Sequence, residues 1–315
     1  MSETVALVPD RAQRSDDTFA ATAVDRFDDA VVARGAGPAA SGRRGLPAVL
    51  RRPLVVASIV WLLIVVVAAL WPALLAPGDP LGGSPADNLQ PPSPAHWFGT
   101  DQLGRDLYTR VVHGTALTVS AAGIAVGVGV VAGSVIGLLS GFVGGRTDAV
   151  LMRIADVLLA IPGLLLSLAI ITALGFGTVN VAIAVGIASV ASVARVLRAE
   201  VLRVRTAPYV EAARASGNGW VAVLLRHVLP NSIGPVVVLA VLEFGTAILA
   251  VSALSFLGYG APPPAPEWGS LVSGGRDYLR TAWWLTALPG LTIAVTVLAA
   301  NRLSRGLDIE GRARR

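Results

Sequence analysis

EAARASGNGWVAVLLRHVLPN, residues 211–231, lies between two long apolar runs. The stretch carries Glu211, Arg214, Arg226 and His227, with Gly217 near its middle and Pro230 near its end. Pro208 suits the first turn of a helix, where a missing N–H needs no partner, so TAPYVEAARAS starts a short helix with Ala212, Ala213 and Ser216 on one side. Gly217 permits a backbone conformation that a Cβ resists, and breaks that helix. A second helix over about 219–228 places Trp220, Leu224, Leu225 and Val228 on one face and Arg226 on another, before Pro230 ends it. The pattern predicts a helix, a glycine turn and a helix between two spans. Two uses fit it: an amphipathic hairpin on the membrane surface, its arginines meeting anionic lipid, or a docking knob whose small-residue face enters a partner's groove.

The flanking runs set the class. The 315 residues are 54% hydrophobic and 14% charged, with mean hydropathy +0.68; soluble domains carry roughly 25% charged residues. This is the composition of a membrane protein. With no cysteine, disulfide frameworks, thiolate zinc sites and cysteine nucleophiles are excluded. All 25 basic residues are arginine, and they cluster beside apolar runs without aromatic interleaving. That fits membrane topology rather than nucleic-acid binding. His96, His113 and His227 are too far apart in sequence to give metal-site spacing.

Residues 1–53 have no helical periodicity and predict a disordered cytoplasmic tail, ending in Arg43, Arg44, Arg51 and Arg52. Residues 54–76 form the first span, long enough for a hydrocarbon core of ~30 Å. Residues 77–115 predict an extracytoplasmic loop leading into a short amphipathic helix, and 116–303 a core of five further spans containing the loop 206–231. Those spans fall at about 116–141, 149–174, 178–196, 232–257 and 283–301, with Pro162 kinking the second of them; 304–315 is a cytoplasmic tail. In the span 116–141, Gly129, Gly133, Gly137 and Gly141 recur every fourth residue, preceded by Gly123 and Gly127. Such a row makes a groove for a neighbouring helix backbone. With the N-terminus inside, 17 arginines flank spans on the internal side and four lie in external loops. The positive-inside tendency therefore puts both termini and the loop 206–231 in the cytoplasm.

Glu243 stands about 12 residues, or ~18 Å, into a span. A carboxylate at that depth either lines a substrate path or is neutral and hydrogen-bonded to another helix. Asp156 and Arg153 share a helix face and are expected to pair. Asp101, Arg105, Asp106 and Trp268 lie in the external loops, where they either fold a cap or face an external partner. There is no GxxxxGK[ST] loop and no lysine to place in one, so this chain holds no ATP site of that kind. One carboxylate and no visible inverted repeat speak against a secondary transporter, and no His-rich or GxSG cluster supports an intramembrane enzyme.

EAA, three residues, Gly217, nine residues and then His227-Val228-Leu229-Pro230 resembles the EAA loop of membrane subunits of binding-protein-dependent ABC importers. HWFGTDQLGRDLYTRVVHG, GGRTDAVLMRIADVLLAIP, LSFLGYGAPPPAPEWGSLVSGGRDYL and WWLTALPG resemble, in that order, segments of the C-type subunits of dipeptide and oligopeptide permeases. Two positions depart from that family's pattern: Ser304-Arg305 replaces a usual Gly-Asp pair, and Val251 stands where a Glu is frequent.

The resemblance implies an all-α membrane protein of six transmembrane helices, with the type I ABC importer permease fold and a cytoplasmic coupling helix. It implies import of dipeptides or oligopeptides, or, on the same architecture, of nickel, opines or another small solute. It assigns Glu211, Ala212, Ala213, Gly217, Trp220 and Pro230 to the joint with the ATPase. The chain itself carries no cofactor; ATP and Mg belong to two ATPase subunits or one fused double ATPase. A paralogous B-type permease, expected against the glycine groove, and an extracytoplasmic substrate-binding lipoprotein complete the complex in a bacterial cytoplasmic membrane. Asp101, Arg105, Asp106 and Trp268 are the expected contacts of that binding protein, and Glu243 the expected path residue.

Overall fold

A computed structural model describes residues 53–313, with side-chain surroundings over 53–306. Except for Pro53, the expected tail over 1–53 lies outside the described residues. Regular structure among them is helical, apart from isolated bridges pairing Gly83 with Arg105 and Thr100 with Asp106. Besides short helical turns at Pro72–Leu75, Pro85–Asp87, Leu224–Val228 and Arg276–Tyr278, the helices are α1 Pro53–Leu70, α2 Leu107–Val143, α3 Gly145–Ala160, α4 Gly163–Leu174, α5 Thr178–Arg205, α6 Pro208–Ala215, α7 Trp220–Val223, α8 Leu229–Ser232, α9 Gly234–Phe256, α10 Trp268–Gly275 and α11 Trp284–Ala313. Helices α1, α2, α5 and α9 and the stretch Trp284–Gly306 of α11 are each long and apolar enough to cross a membrane. A sixth apolar segment is the pair α3 and α4, bent by 97°.

That bend is larger than the expected kink. Ile161 (φ −92°, ψ 129°) and Pro162 (φ −54°, ψ 128°) are both extended, so the helix stops and restarts instead of bending around one lost hydrogen bond. A residue before proline is pushed out of the helical region by the proline Cδ, and two extended residues make a corner. Other boundaries shift as well. α1 stops at Leu70, before Pro72, with only a short turn Pro72–Leu75 beyond it. The expected amphipathic helix before residue 116 and the span after it are one 37-residue helix, α2. α5 runs to Arg205, past the expected end at 196, and α11 continues to Ala313, through most of the expected tail over 304–315.

The glycine row explains the central packing. A Cβ at Gly133 would lie 2.6 Å from Val193 Cβ and 2.7 Å from Val190 O, and one at Gly137 would lie 2.5 Å from Ala194 O. A Cβ at Gly141 would lie 2.8 Å from Val201 Cγ1, while on the facing helix one at Gly186 would lie 2.7 Å from Ala125 O. α5 thus fills the groove along Gly129, Gly133, Gly137 and Gly141, and the backbones meet as small residues in lipid allow. The expectation that this groove awaits another subunit is corrected: its occupant is in the same chain. Gly123 and Gly127 are out of phase with the row, and a Cβ on either meets nothing within 4 Å.

One apolar core, including Ala122, Val181, Val185, Ile248, Val251 and Leu254, joins α2, α5 and α9. Outward-facing Leu63, Val131, Val135, Leu249 and Leu298 are each more than half exposed, a surface suited to hydrocarbon rather than water. The chain has two contrasting ends. One carries the loops over 71–106 and 257–283; the other carries α6, α7 and α8.

Candidate functional site

At the hairpin end, extended Ala207 leads into α6, with Pro208 in the first turn. The N–H of Gly217 donates to Arg214 O at 3.0 Å, and Asn218 caps the turn through its backbone N–H and Nδ2, both donating to Ala213 O at 3.3 and 2.9 Å. Gly217 sits at φ +81°, a left-handed conformation that favours glycine, with open space around its Cα. Chain direction then reverses into α7.

Pro230 does not end the second helix. An α-helical Pro230 would have no N–H for the Arg226 carbonyl and would crowd that oxygen. Instead Leu224–Val228 form a wider π-turn, the N–H of Leu229 donates to Leu224 O, and helical conformation continues through α8 to the start of α9. The buried face also differs from the expected one. Val210, Val223, Leu224 and Val228 are buried and share one apolar cluster with Val193, Leu197 and Val201 of α5. Trp220 and Leu225, expected on the same face as Leu224 and Val228, are instead 63% and 52% exposed. Glu211, Ala212, Gly217 and Pro230 are also exposed, and Ala213 is half-buried. The hairpin is a small-residue and aromatic surface on a wedge fixed to α5. Phe142 near the end of α2 braces it further: the Arg214 guanidinium carbon lies 5.4 Å from its ring centroid and the Trp220 ring 6.4 Å away.

An ionic clamp holds the same end. Arg198 donates to both carboxylate oxygens of Asp148, at 2.5 and 2.6 Å, and Ser140 also donates to Asp148. Arg205 donates to Gly141 O at 2.8 Å. These contacts tie the corner between α2 and α3 to α5. Asp156 pairs with Arg195 of α5 at 2.7 Å, which corrects the expected pairing with Arg153 on its own helix.

Between the two ends, α2, α4, α5 and α9 border a pocket of about 240 Å³. Its polar side chains are Ser167, Ser189, Ser192, Glu243 and Thr246. Glu243 is half-buried and has no hydrogen-bond or ion-pair partner among the described residues. It borders the pocket, and no bond from its carboxyl group to another helix is seen among those residues. Ser167 donates to Gly163 O at 2.9 Å, Ser189 to Gly186 O at 2.9 Å and Thr246 to Leu242 O at 3.3 Å.

At the loop-rich end the expected binding-protein contacts are tied up internally. Asp101 is buried and accepts from the N–H groups of Leu103 and Arg105 and from Arg105 Nε at 2.7 Å. Asp106 caps α2 by accepting from the N–H and hydroxyl of Thr109, and lies 3.1 Å from His96 Nδ1. Trp268 is 1% exposed, with its indole N–H on Val111 O at 2.9 Å. Asp101 and Trp268 are buried parts of the cap, the first of the two expected readings. Sequence reading missed fully buried Glu267, which accepts from the Ser255 hydroxyl at 2.6 Å and Ala261 N–H at 2.9 Å. It also missed Arg110, whose guanidinium donates to Pro80 O at 2.8 Å and Pro264 O at 3.4 Å. Of the two departures from the family pattern, Ser304 donates to Val238 O at 2.9 Å, joining α11 to α9, and Val251 is fully buried.

Residues 133–308 match the family described as the binding-protein-dependent transport system inner membrane component. The chain is 40% identical over 260 residues to the glutathione transport system permease protein GsiD of Pectobacterium atrosepticum, covering 82% of this chain and 86% of that protein. It is 39% identical over 255 residues to the probable D,D-dipeptide transport system permease protein DdpC of Escherichia coli, covering 81% and 86%. Among solved structures, the inward-facing MetNI methionine ABC transporter is similar in fold, with TM-score 0.50 and 18% identity over 63% of this chain and 96% of that one. The matched segment holds the hairpin, the ionic clamp and Glu243, and with the relatives it establishes that the chain belongs to the inner membrane components of binding-protein-dependent transport systems.

Proposed function

We propose that this chain is a transmembrane subunit of an ATP-driven importer of dipeptides or oligopeptides, with both termini and the hairpin in the cytoplasm. The peptide assignment is supported by the names of the relatives, which include glutathione and dipeptide transport permeases. The orientation is supported by the sequence, which puts 17 arginines beside span ends in the segments read as internal against four in the loops read as external. One observation carries the coupling role: Glu211, Ala212, Gly217 and Trp220 are exposed on a hairpin whose other face is buried against α5. A groove on an ATPase can grip that surface and move the bundle through it.

ATP and Mg are bound by partner ATPase subunits, either two chains or one fused double ATPase. Closure of that pair pushes on the hairpin. Val210, Val223 and Val228 pass the push to α5, Phe142 passes it to α2, and α8 leads directly into α9. Helices α2, α5 and α9 all border the Glu243 pocket, so a rigid-body tilt of the hairpin reshapes it. Glu243 thereby lines the path. A paralogous B-type permease supplies the facing half, over apolar side chains left exposed on α3 and α4 such as Val150, Ile154 and Leu165. An extracytoplasmic binding protein docks at the loop-rich end, where Trp97 and Leu103 are 64% and 56% exposed.

The test is reconstitution with the partner permease, ATPases and binding protein. Trialanine is expected to stimulate ATP hydrolysis and to accumulate inside the vesicles. Stimulation by nickel or an opine, with none by di- or tripeptides, would replace the peptide assignment and keep the transporter architecture.

A further inference from the structure

We infer that the Glu243 pocket is a subsite for a primary ammonium group, and, resting on the peptide-importer reading, that it receives the amino terminus of the passing peptide. The argument begins with the hydroxyls. A serine or threonine has one proton to donate and two lone pairs. Ser167, Ser189 and Thr246 each give that proton to a carbonyl of their own helix, at 2.9, 2.9 and 3.3 Å. What remains on each oxygen is acceptor capacity. Glu243, on the wall they share, adds a carboxylate with no donor among the described residues. Ser192, the fourth hydroxyl, has no partner among the described residues and can donate as well as accept; acceptors still outnumber donors on the wall, and its lining holds no arginine or histidine.

An ammonium group is the complement: three donors, no acceptor and a positive charge. A carboxylate or carbonyl end of a solute would meet Glu243 as a like charge or a second acceptor. Arg195, one turn beyond Ser192 on α5, does not reverse the balance, because it is paired with Asp156 at 2.7 Å. A proton-relay role is less well supplied, since Glu243 is the sole titratable residue in the lining.

The chain has no cysteine, so Ser192→Cys places a single thiol of this subunit on the pocket wall. In the complete reconstituted complex, its labelling by an ammonium-bearing methanethiosulfonate is compared with labelling by the sulfonate-bearing analogue. Rates are corrected for each reagent's intrinsic reactivity with a free thiol. The cationic reagent is expected to react at least tenfold faster, and adding Glu243→Gln is expected to cut that preference to twofold or less. Trialanine during turnover should slow labelling. Equal rates for the two reagents would overturn the subsite, and an unchanged preference in the Glu243→Gln background would overturn the role of Glu243. Import of trialanine by the unsubstituted complex is scored separately. Its absence, with the cation preference intact, would overturn the peptide reading and leave the ammonium subsite standing.

Discussion

Arg198 of α5 grips Asp148 of α3 through both carboxylate oxygens, at 2.5 and 2.6 Å, across 50 positions of sequence. Both side chains are at least two-thirds covered, so the pair is less screened than a surface ion pair. Arg198→Ala or Asp148→Ala is expected to cost about 1–3 kcal/mol, the range for hydrogen bonds to charged groups. Thermal denaturation in detergent, run as a double-mutant cycle, checks this. The double variant should be no less stable than the worse single one.

The glycine row makes a sharper prediction. Gly137→Leu drives a side chain into Ala194 O and Leu197, while Gly127→Leu enters open space. The first should abolish recovery of monodisperse subunit, and the second should leave it near the unsubstituted level, as size-exclusion chromatography reports. Equal damage from both would contradict the packing of α2 on α5.

Trp268 separates a structural from a contacting role. Trp268→Phe keeps most of the ring packing and removes the hydrogen bond to Val111 O. It should lower stability by about 1 kcal/mol, while the binding-protein concentration that half-saturates ATPase stimulation stays within twofold. A tenfold rise in that concentration at unchanged stability would return Trp268 to the binding-protein interface.

The spans were legible because each is dominated by apolar residues over a membrane-spanning length, and hydropathy reports such runs directly. Their ends were not, because a helix continues wherever its hydrogen bonds do. Leu107 to Thr115 are too polar to read as membrane, and Arg195 to Arg205 too charged, yet both stretches are helical. Pro162 announced a break but not its angle, which Ile161 shares in setting. At the site, Glu243 stood out as a charge in an apolar run. The hydroxyls around it did not, since Ser167, Ser189 and Thr246 come from three helices and share no spacing. Asp148 and Arg198 were hidden for the same reason. In the hairpin, the helical wheel grouped Leu225 with the buried Leu224 and Val228, because the π-turn over Leu224–Val228 shifts the register on which the wheel depends; Trp220 precedes that turn and lies exposed, its ring 6.4 Å from that of Phe142.

The central claim is that the exposed side of the hairpin transmits ATPase motion to the bundle. Its most direct measurement is the ratio of trialanine taken up to ATP hydrolysed in proteoliposomes carrying Gly217→Trp or Ala212→Trp. Both positions are exposed, and Gly217 has nothing within 4 Å of a built Cβ, so the fold has room for either side chain. Gly217→Trp adds backbone strain of about 1 kcal/mol at φ +81°, and Ala212→Trp, on a helix, avoids it. The account predicts inserted, monodisperse complexes in which uptake per ATP falls at least tenfold for both variants. Uptake per ATP equal to that of the unsubstituted complex in both would contradict it.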